Sequence, residues 1–363
     1  MNRKILIAAV VIIALVVAIG ITAWYKFYRD VRQPEWITAD SRDNFLYGSV
    51  GAESAAGIPY WVWLALPRMF PEYLSGPGGY ASLGFPWEEG KEMPVGFSKK
   101  IVGYVRVAGN CALCHAASYR KTPEDVSVVT ESRPGRKVNV ERLLLFYTQC
   151  AKDPRFNAGD ILAEVAMATK LSLLDRLLYR FVLIPRTRKA ILDGYPTFID
   201  SALRDHSHNP KSGTHFPRKA EQAQESWIKQ CKAPAYPLAI DGTLASAGKS
   251  IFVQHCGSCH ADESASMPLN AVWLRGPYLH NGSVPTVRDL LAPVEQRPQT
   301  FYRGNDVIDA RNVGFVSTQA TDMGRQFLFY DTARPGNSNS GHLYGTNLSS
   351  SEQNALLEYM KTL

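Results

Sequence analysis

The chain has 363 residues, of which 45% are apolar, 20% charged and 11% aromatic, and its formal net charge is +7. That length suggests roughly two domains of ordinary size, each able to bury a core. The basic excess favours anionic surfaces or acidic partners. It is not gathered into the runs of like charge that bind nucleic acid, and no glycine-rich phosphate loop is present, so nucleic acid is not an expected partner.

After Asn2-Arg3-Lys4, residues 5–24 run without a charge. As a helix this run spans about 30 Å, the thickness of a bilayer hydrocarbon core. A secretory signal has an apolar stretch of only roughly 7–15 residues followed by a small-residue cleavage site. Here the longer run leads into Tyr25-Lys26-Phe27-Tyr28-Arg29, an aromatic and basic belt suited to the interface. Residues 1–27 are read as an uncleaved transmembrane anchor in contact with membrane lipid, and 28–40 as a linker. The remainder is too polar for a second span. Residues 57–97, rich in Gly, Pro and aromatic side chains as in "SGPGGYASLGFPWEEG", read as a loop wrapped over a surface.

Next comes Cys111-Ala-Leu-Cys114-His115, and Cys256-Gly-Ser-Cys259-His260 repeats the pattern in the other half. Cys-x-x-Cys-His is the c-type haem attachment pattern. Two thiols add across the porphyrin vinyl groups, and the adjoining imidazole then meets the iron from one face. A zinc site wants its two cysteine pairs about 15–20 residues apart, and a thioredoxin-like dithiol wants a βαβ setting. Neither is found. Two covalently bound c-type haems are therefore expected, held by Cys111, Cys114, Cys256 and Cys259, with His115 and His260 as iron ligands. Such haems are attached outside the cytoplasmic membrane. The chain is accordingly placed in the inner membrane, single-pass, with its bulk facing the periplasm. In that oxidising compartment Cys150 and Cys231 either pair as a disulfide or stay two separate buried thiols.

Residues 138–150 and 159–183 read as helices. The second is apolar on one broad side with Lys170, Arg176 and Arg180 elsewhere, which fits a core helix or one lying on a membrane surface. "DHSHNPKSGTH" holds His206, His208 and His215, which either serve no metal or supply a ligand that closes the first iron. Pro234 and Pro237 mark a linker between an N-terminal c-type haem domain, 41–237, and a C-terminal cytochrome c domain, 238–363. In the latter, 243–255 reads as a helix running into the motif. Ser349 with Glu352 three residues on signals a closing helix, with Leu356, Tyr359, Met360 and Leu363 on one face. The expected fold class is mainly α: an N-terminal transmembrane helix followed by two loop-rich cytochrome c-type haem domains.

The sixth iron ligand decides function. A His or Met closes the iron, Met raising its potential, whereas a vacant position admits peroxide or dioxygen. His255 precedes its motif on the same helix and is expected to face the haem edge or solvent; Met360 belongs to the packed face. Met323, His342 and His280 ride on loops after the second motif, and Met69, Met93, Met167 and Met267 are further thioethers. Trp273 and Tyr278 flank the second site, as packing for the macrocycle or as electron relays. Glu124 and Asp125 follow the first motif, where peroxide cleavage would need an acid–base group, though surface charge is the plainer reading. No catalytic residue is assigned.

"LNAVWLRGPYLHNGSVPTVRDLL" at 269–291, "RPQTFY" at 297–302, "VGF" at 313–315 and "GNSNSGHLYGT" at 336–346 resemble the bacterial di-haem cytochrome c peroxidase superfamily, nearest its rubber-oxygenase branch. The first half resembles it through "NCALCH" and "CAKDPRF". The resemblance implies one haem with an open distal face and one electron-transfer haem with two axial ligands. In the rubber-oxygenase branch the C-terminal haem is bis-histidine, and the matching position here is His342, opposite His260; the haem on His115 would then meet dioxygen or peroxide. Only "ADESASMP" stands where those relatives carry a long segment, and the peroxidases' catalytic Glu–Gln pair has no counterpart. Three readings follow. One is a membrane-anchored di-haem cytochrome passing electrons in the periplasm between a quinol-linked donor and a redox protein. The alternative is a di-haem peroxidase or oxygenase-like enzyme acting on a small oxidant. A third is a haem-bearing structural subunit of a respiratory assembly.

Overall fold

The computed structural model describes residues 3–34, 42–74, 76–131, 140–204, 234–260 and 269–363. His206, His208, His215, Cys231 and Met267 lie outside the described residues.

Helix α1 (Arg3–Phe27) is exposed along most of its apolar length and is long and apolar enough to cross a membrane, as an anchor or a signal sequence is. Its C-terminal end is fixed to the body. Lys26 pairs with Asp175 at 2.5 Å, and the Gly103 amide donates to the Arg29 carbonyl at 2.6 Å. Gly103 has φ +73°, and a Cβ there would lie 2.5 Å from the Lys26 carbonyl oxygen, so this turn needs glycine twice over.

Short helices α2 (Arg42–Tyr47) and α3 (Ala52–Ala56) lead to strand β1 (Ile58–Pro59) and helix α4 (Tyr60–Met69). The surface loop expected over 57–97 is corrected here. Val62, Trp63 and Leu66 fall on one face of α4 and are fully buried, and Trp63 stacks on Tyr80 at 4.3 Å. Aromatic and aliphatic side chains at helical spacing outweigh the Gly and Pro of the neighbouring turns, since burying each is worth roughly 1.5–3 kcal/mol.

A mainly α chain of two loop-rich haem domains is also corrected: the fold is 47% helix and 14% strand. Strands β2 (Phe97–Val102) and β3 (Tyr104–Gly109) pair antiparallel about Gly103, and β1 adds to β3, giving the order β1-β3-β2. Then come α5 (Ala112–His115), β4 (Ala116–Tyr119) and β5 (Val128–Glu131), the two strands paired Ala116 to Glu131 through Tyr119 to Val128. The β-branched and aromatic runs "KKIVGYVRV" and "VVT" favour a half-buried pleat, a preference the Cys-x-x-Cys-His spacing hides.

The helix expected over 138–150 is α6 (Val140–Lys152). The single helix expected over 159–183 is divided into α7 (Ala158–Ala168) and α8 (Leu173–Leu178), because Thr169 turns extended and Ser172 caps a new start through the Asp175 amide. A π turn at Tyr179–Leu183 then carries the chain into α9 (Ile184–Arg204), with Pro185 in its first turn. Trp63, Tyr80, Phe97, Phe146, Ile161 and Leu183 belong to the core of this half.

In the second half, α10 (Gly242–His255) and α11 (Gly257–His260) carry the second motif, followed by α12 (Val287–Leu290) and strand β6 (Thr300–Arg303). The hairpin β7 (Thr321–Asp322) and β8 (Arg325–Gln326) leads to β9 (Leu328–Asp331), which pairs with β6, and α13 (Ser350–Met360) closes the chain. Asp241 caps α10, and Ser349 with Glu352 forms the capping box of α13. The two helices cross tightly: a Cβ on Gly248 would lie 2.0 Å from the Ala355 carbonyl oxygen. Phe252, Trp273, Leu356 and Met360 form the second core, and Ala117 of β4 joins it. The strand that leaves the first motif thus packs into the second half.

Candidate haem site

The second motif is one tight turn. The Cys256 amide donates to the Phe252 carbonyl, and the Cys259 and His260 amides both donate to the Cys256 carbonyl at 3.1 Å. Cys256 is half-buried and Cys259 exposed. His342 comes from the loop ahead of α13 with φ 56°, a left-handed conformation that costs a non-glycine residue about 1–2 kcal/mol. Its ring centroid stands 6.5 Å from that of His260, with the planes inclined by 33°. An iron about 2 Å from one nitrogen of each imidazole puts the two centroids roughly 6.3 Å apart. The pair therefore fits an axial iron pair. His342 Nδ1 is buried with no hydrogen-bond partner. Burial holds His342 below the ordinary imidazole value, favouring the neutral, ligating form.

The loop carrying His342 is held by Arg297, which is 3% exposed. Its Nη1 donates to the carbonyls of Asn339 at 2.5 Å and Gly341 at 2.6 Å. Its Nη2 donates to Leu290 at 3.0 Å and His342 at 2.9 Å, and Nε to Ala292 at 3.0 Å. Asn281 and Ser283 add bonds to Gly336 and Ser338 from the neighbouring loop. The sequence offered Arg297 only as part of "RPQTFY"; a lone arginine ahead of a proline gives no sign of a carbonyl clamp.

The first motif is framed differently. Asn110 caps its turn through the Ala112 amide and donates to the carbonyls of Leu46 and Gly48. Gly96, at φ +91°, lets the backbone of Leu113 approach, where a Cβ would stand 2.5 Å from Leu113 Cα. Cys111 packs beside Phe45, Leu46, Tyr47 and Val95, and Cys114 lies within α5. His115 is half-buried, its Nδ1 has no hydrogen-bond partner, and burial lowers its pKa. Asn110, directly before Cys111, was the one available signal of this bracket, as an Asx cap.

The remaining candidates separate. Met323 is 71% exposed and its sulfur lies 3.3 Å from Arg120 Nη1. His280 is exposed and His255 half-buried, while Met360 and Met93 are core residues. Glu124 and Asp125 are exposed. Trp273 is buried edge-on to Tyr119 at 5.3 Å and Tyr236 at 5.4 Å. Tyr278 donates to the carbonyls of Val272 and Val313, a packing role, and burial pushes its hydroxyl up. Cys150 is a buried thiol that burial likewise keeps protonated. Among the described residues no three His, Cys, Asp or Glu side chains are gathered to hold a metal ion.

The family described as "RoxA-like, cytochrome c-like" matches residues 265–302. Two uncharacterized proteins of Sinorhizobium fredii (strain NBRC 101917 / NGR234) are similar in part. Protein y4iJ is 42% identical over 105 residues, 26% of this chain and 17% of its own length. Protein y4iM is 40% identical over 79 residues, 20% of this chain and 18% of its own. The chain thus covers less than a fifth of the length of these relatives. No solved structure matches. The family match supports a cytochrome c-like relationship and a haem cytochrome carrying c-type haem.

Proposed function

We propose that this chain is a membrane-anchored c-type cytochrome with two haems, passing electrons on the periplasmic side of the inner membrane from a quinol-linked donor to a redox protein. The observation that carries this reading is the 6.5 Å separation of the His260 and His342 rings. His260 and His342 would hold a c-type haem between them, and it would supply one-electron exchange without an open coordination position. Thioether bonds from Cys256 and Cys259 would tether the haem beside His260, and Arg297 holds the His342 loop, so both imidazoles would be kept in place. The net charge of +7 suits an acidic protein partner.

A second reading, a di-haem peroxidase or oxygenase-like enzyme with its open iron on His115, is favoured by the RoxA-like match. The two differ in what reaches the iron. The carrier reading expects two haems per chain, both low-spin and inert to carbon monoxide. Cys256→Ser with Cys259→Ser should leave one haem, on His115, and Cys111→Ser with Cys114→Ser should leave the other. A haem that binds carbon monoxide and persists without Cys256 and Cys259 would give the case to the enzyme. One haem per intact chain would defeat both.

A further inference from the structure

Helix α8 and the π turn after it carry apolar side chains on two sides. Tyr179 and Leu183 enter the first core. Leu173, Leu174, Leu177 and Phe181 do not: they are 76%, 51%, 45% and 69% exposed. A helix whose outer face meets water is polar there, and a contiguous bare apolar strip marks contact with something apolar. The neighbouring helix indicates what that is. Leu174 and Leu178 line an apolar groove of about 360 Å³ together with Leu15, Ala18, Ile19 and Phe27 of α1. From Leu15 to Phe27 is about 18 Å of helix, so α8 lies beside the apolar length of α1 rather than beyond its end. The Lys26–Asp175 ion pair holds it there. Lys170, Arg176 and Arg180, all exposed, surround the strip with basic heads, the pattern of a helix bedded in an interface with anionic headgroups.

We propose that the segment from Leu173 to Phe181 is a second membrane-contact element, seated in an anionic phospholipid bilayer beside α1. The inference rests on the reading of α1 as an anchor and goes beyond it, because it adds a lipid contact made by the body itself.

The test uses the full chain in vesicles of phosphatidylcholine and phosphatidylglycerol at 3:1, labelled with a carbene probe confined to the acyl-chain region and mapped by mass spectrometry of tryptic peptides. Label is expected on α1 and on peptides 171–176 and 177–180, at least fivefold above the peptide carrying the exposed Glu124. The combined variant Leu173→Ser, Leu177→Ser and Phe181→Ser should keep the α1 label and the haem content while losing most of the label at 171–180. Label on α1 alone overturns the proposal and leaves the anchor standing. Label on neither removes both. Cross-linking of this helix to a second copy, with no lipid label, overturns the proposal in favour of a dimer.

Discussion

Replacing Asp306 by Ala is expected to lower the unfolding free energy by about 3–5 kcal/mol, the loss typical when one member of a buried ion pair is removed. Arg120 and Asp306 are each 2% exposed, and Arg120 Nε meets Asp306 Oδ1 at 2.8 Å. Arg325 donates to the same oxygen at 2.8 Å, and Ser127 donates to Asp306 Oδ2 at 2.6 Å. Asp322 takes the other arm of Arg120. Two cations and two anions thus balance, Arg120 and Asp306 closed to water and Asp322 and Arg325 reaching its edge, so Asp306→Ala leaves the buried Arg120 short of its inner partner. The backbone adds to the joint, since the Arg120 amide donates to the Asp306 carbonyl at 2.7 Å and the Ile308 amide to the Arg120 carbonyl at 2.9 Å. Arg120 lies five residues beyond His115 in sequence, so this cluster ties the exit of the first motif to the second half. The double variant Arg120→Met with Asp306→Leu should recover much of the loss, because apolar replacement of a buried pair is often close to neutral. Guanidinium unfolding followed by circular dichroism measures both. A single-variant loss under about 1 kcal/mol would mean that solvent reaches the pair.

Arg297→Lys should release His342. Lysine keeps the charge but not the planar fork, so it cannot serve the carbonyls of Leu290, Ala292, Asn339, Gly341 and His342 together. Each buried carbonyl left without a donor costs about 1–3 kcal/mol. The loop also holds His342 at φ 56°, a conformation that it keeps only while its surroundings enforce it. The expected outcome is a fall in stability of at least about 2 kcal/mol, with part of the haem on His260 turned high-spin at neutral pH and returned to low-spin by added imidazole. A merely structural role would lower the unfolding midpoint and leave the spectrum of the folded protein unchanged.

The parts legible in the sequence are those set by short-range chemistry. The cap of α13 and the helix delivering Cys256 each depend on residues within a few positions of one another, and α10 begins at Gly242, one residue before the expected start. What stayed hidden is long-range. Nothing local distinguishes Arg120 or Arg297 from a surface arginine; their partners are 186 and up to 45 positions away. The sheet of the first half was missed because "SKKIVGYVRVAG" lies between two stretches that draw attention for other reasons, a Gly/Pro-rich region and a cysteine motif. Helix α8 shows a subtler failure. Its periodicity is clear, but periodicity cannot say which of two apolar faces is covered, and only the packing shows Leu173, Leu177 and Phe181 left bare. For the sixth ligand the loops offered Met323, His342 and His280 alike; the expected place of His342 opposite His260 came from resemblance, and the structure brings the two rings together.

The central claim is that His342 and His260 close one iron from both sides. Electron paramagnetic resonance of the oxidised full chain beside His342→Ala tests it most directly. A bis-imidazole low-spin signal is expected in the parent, replaced in the variant by a high-spin signal of matching intensity, with the haem on His115 unaltered. A variant spectrum identical to the parent would contradict it, because the sixth ligand of that iron would then have to come from elsewhere in the chain.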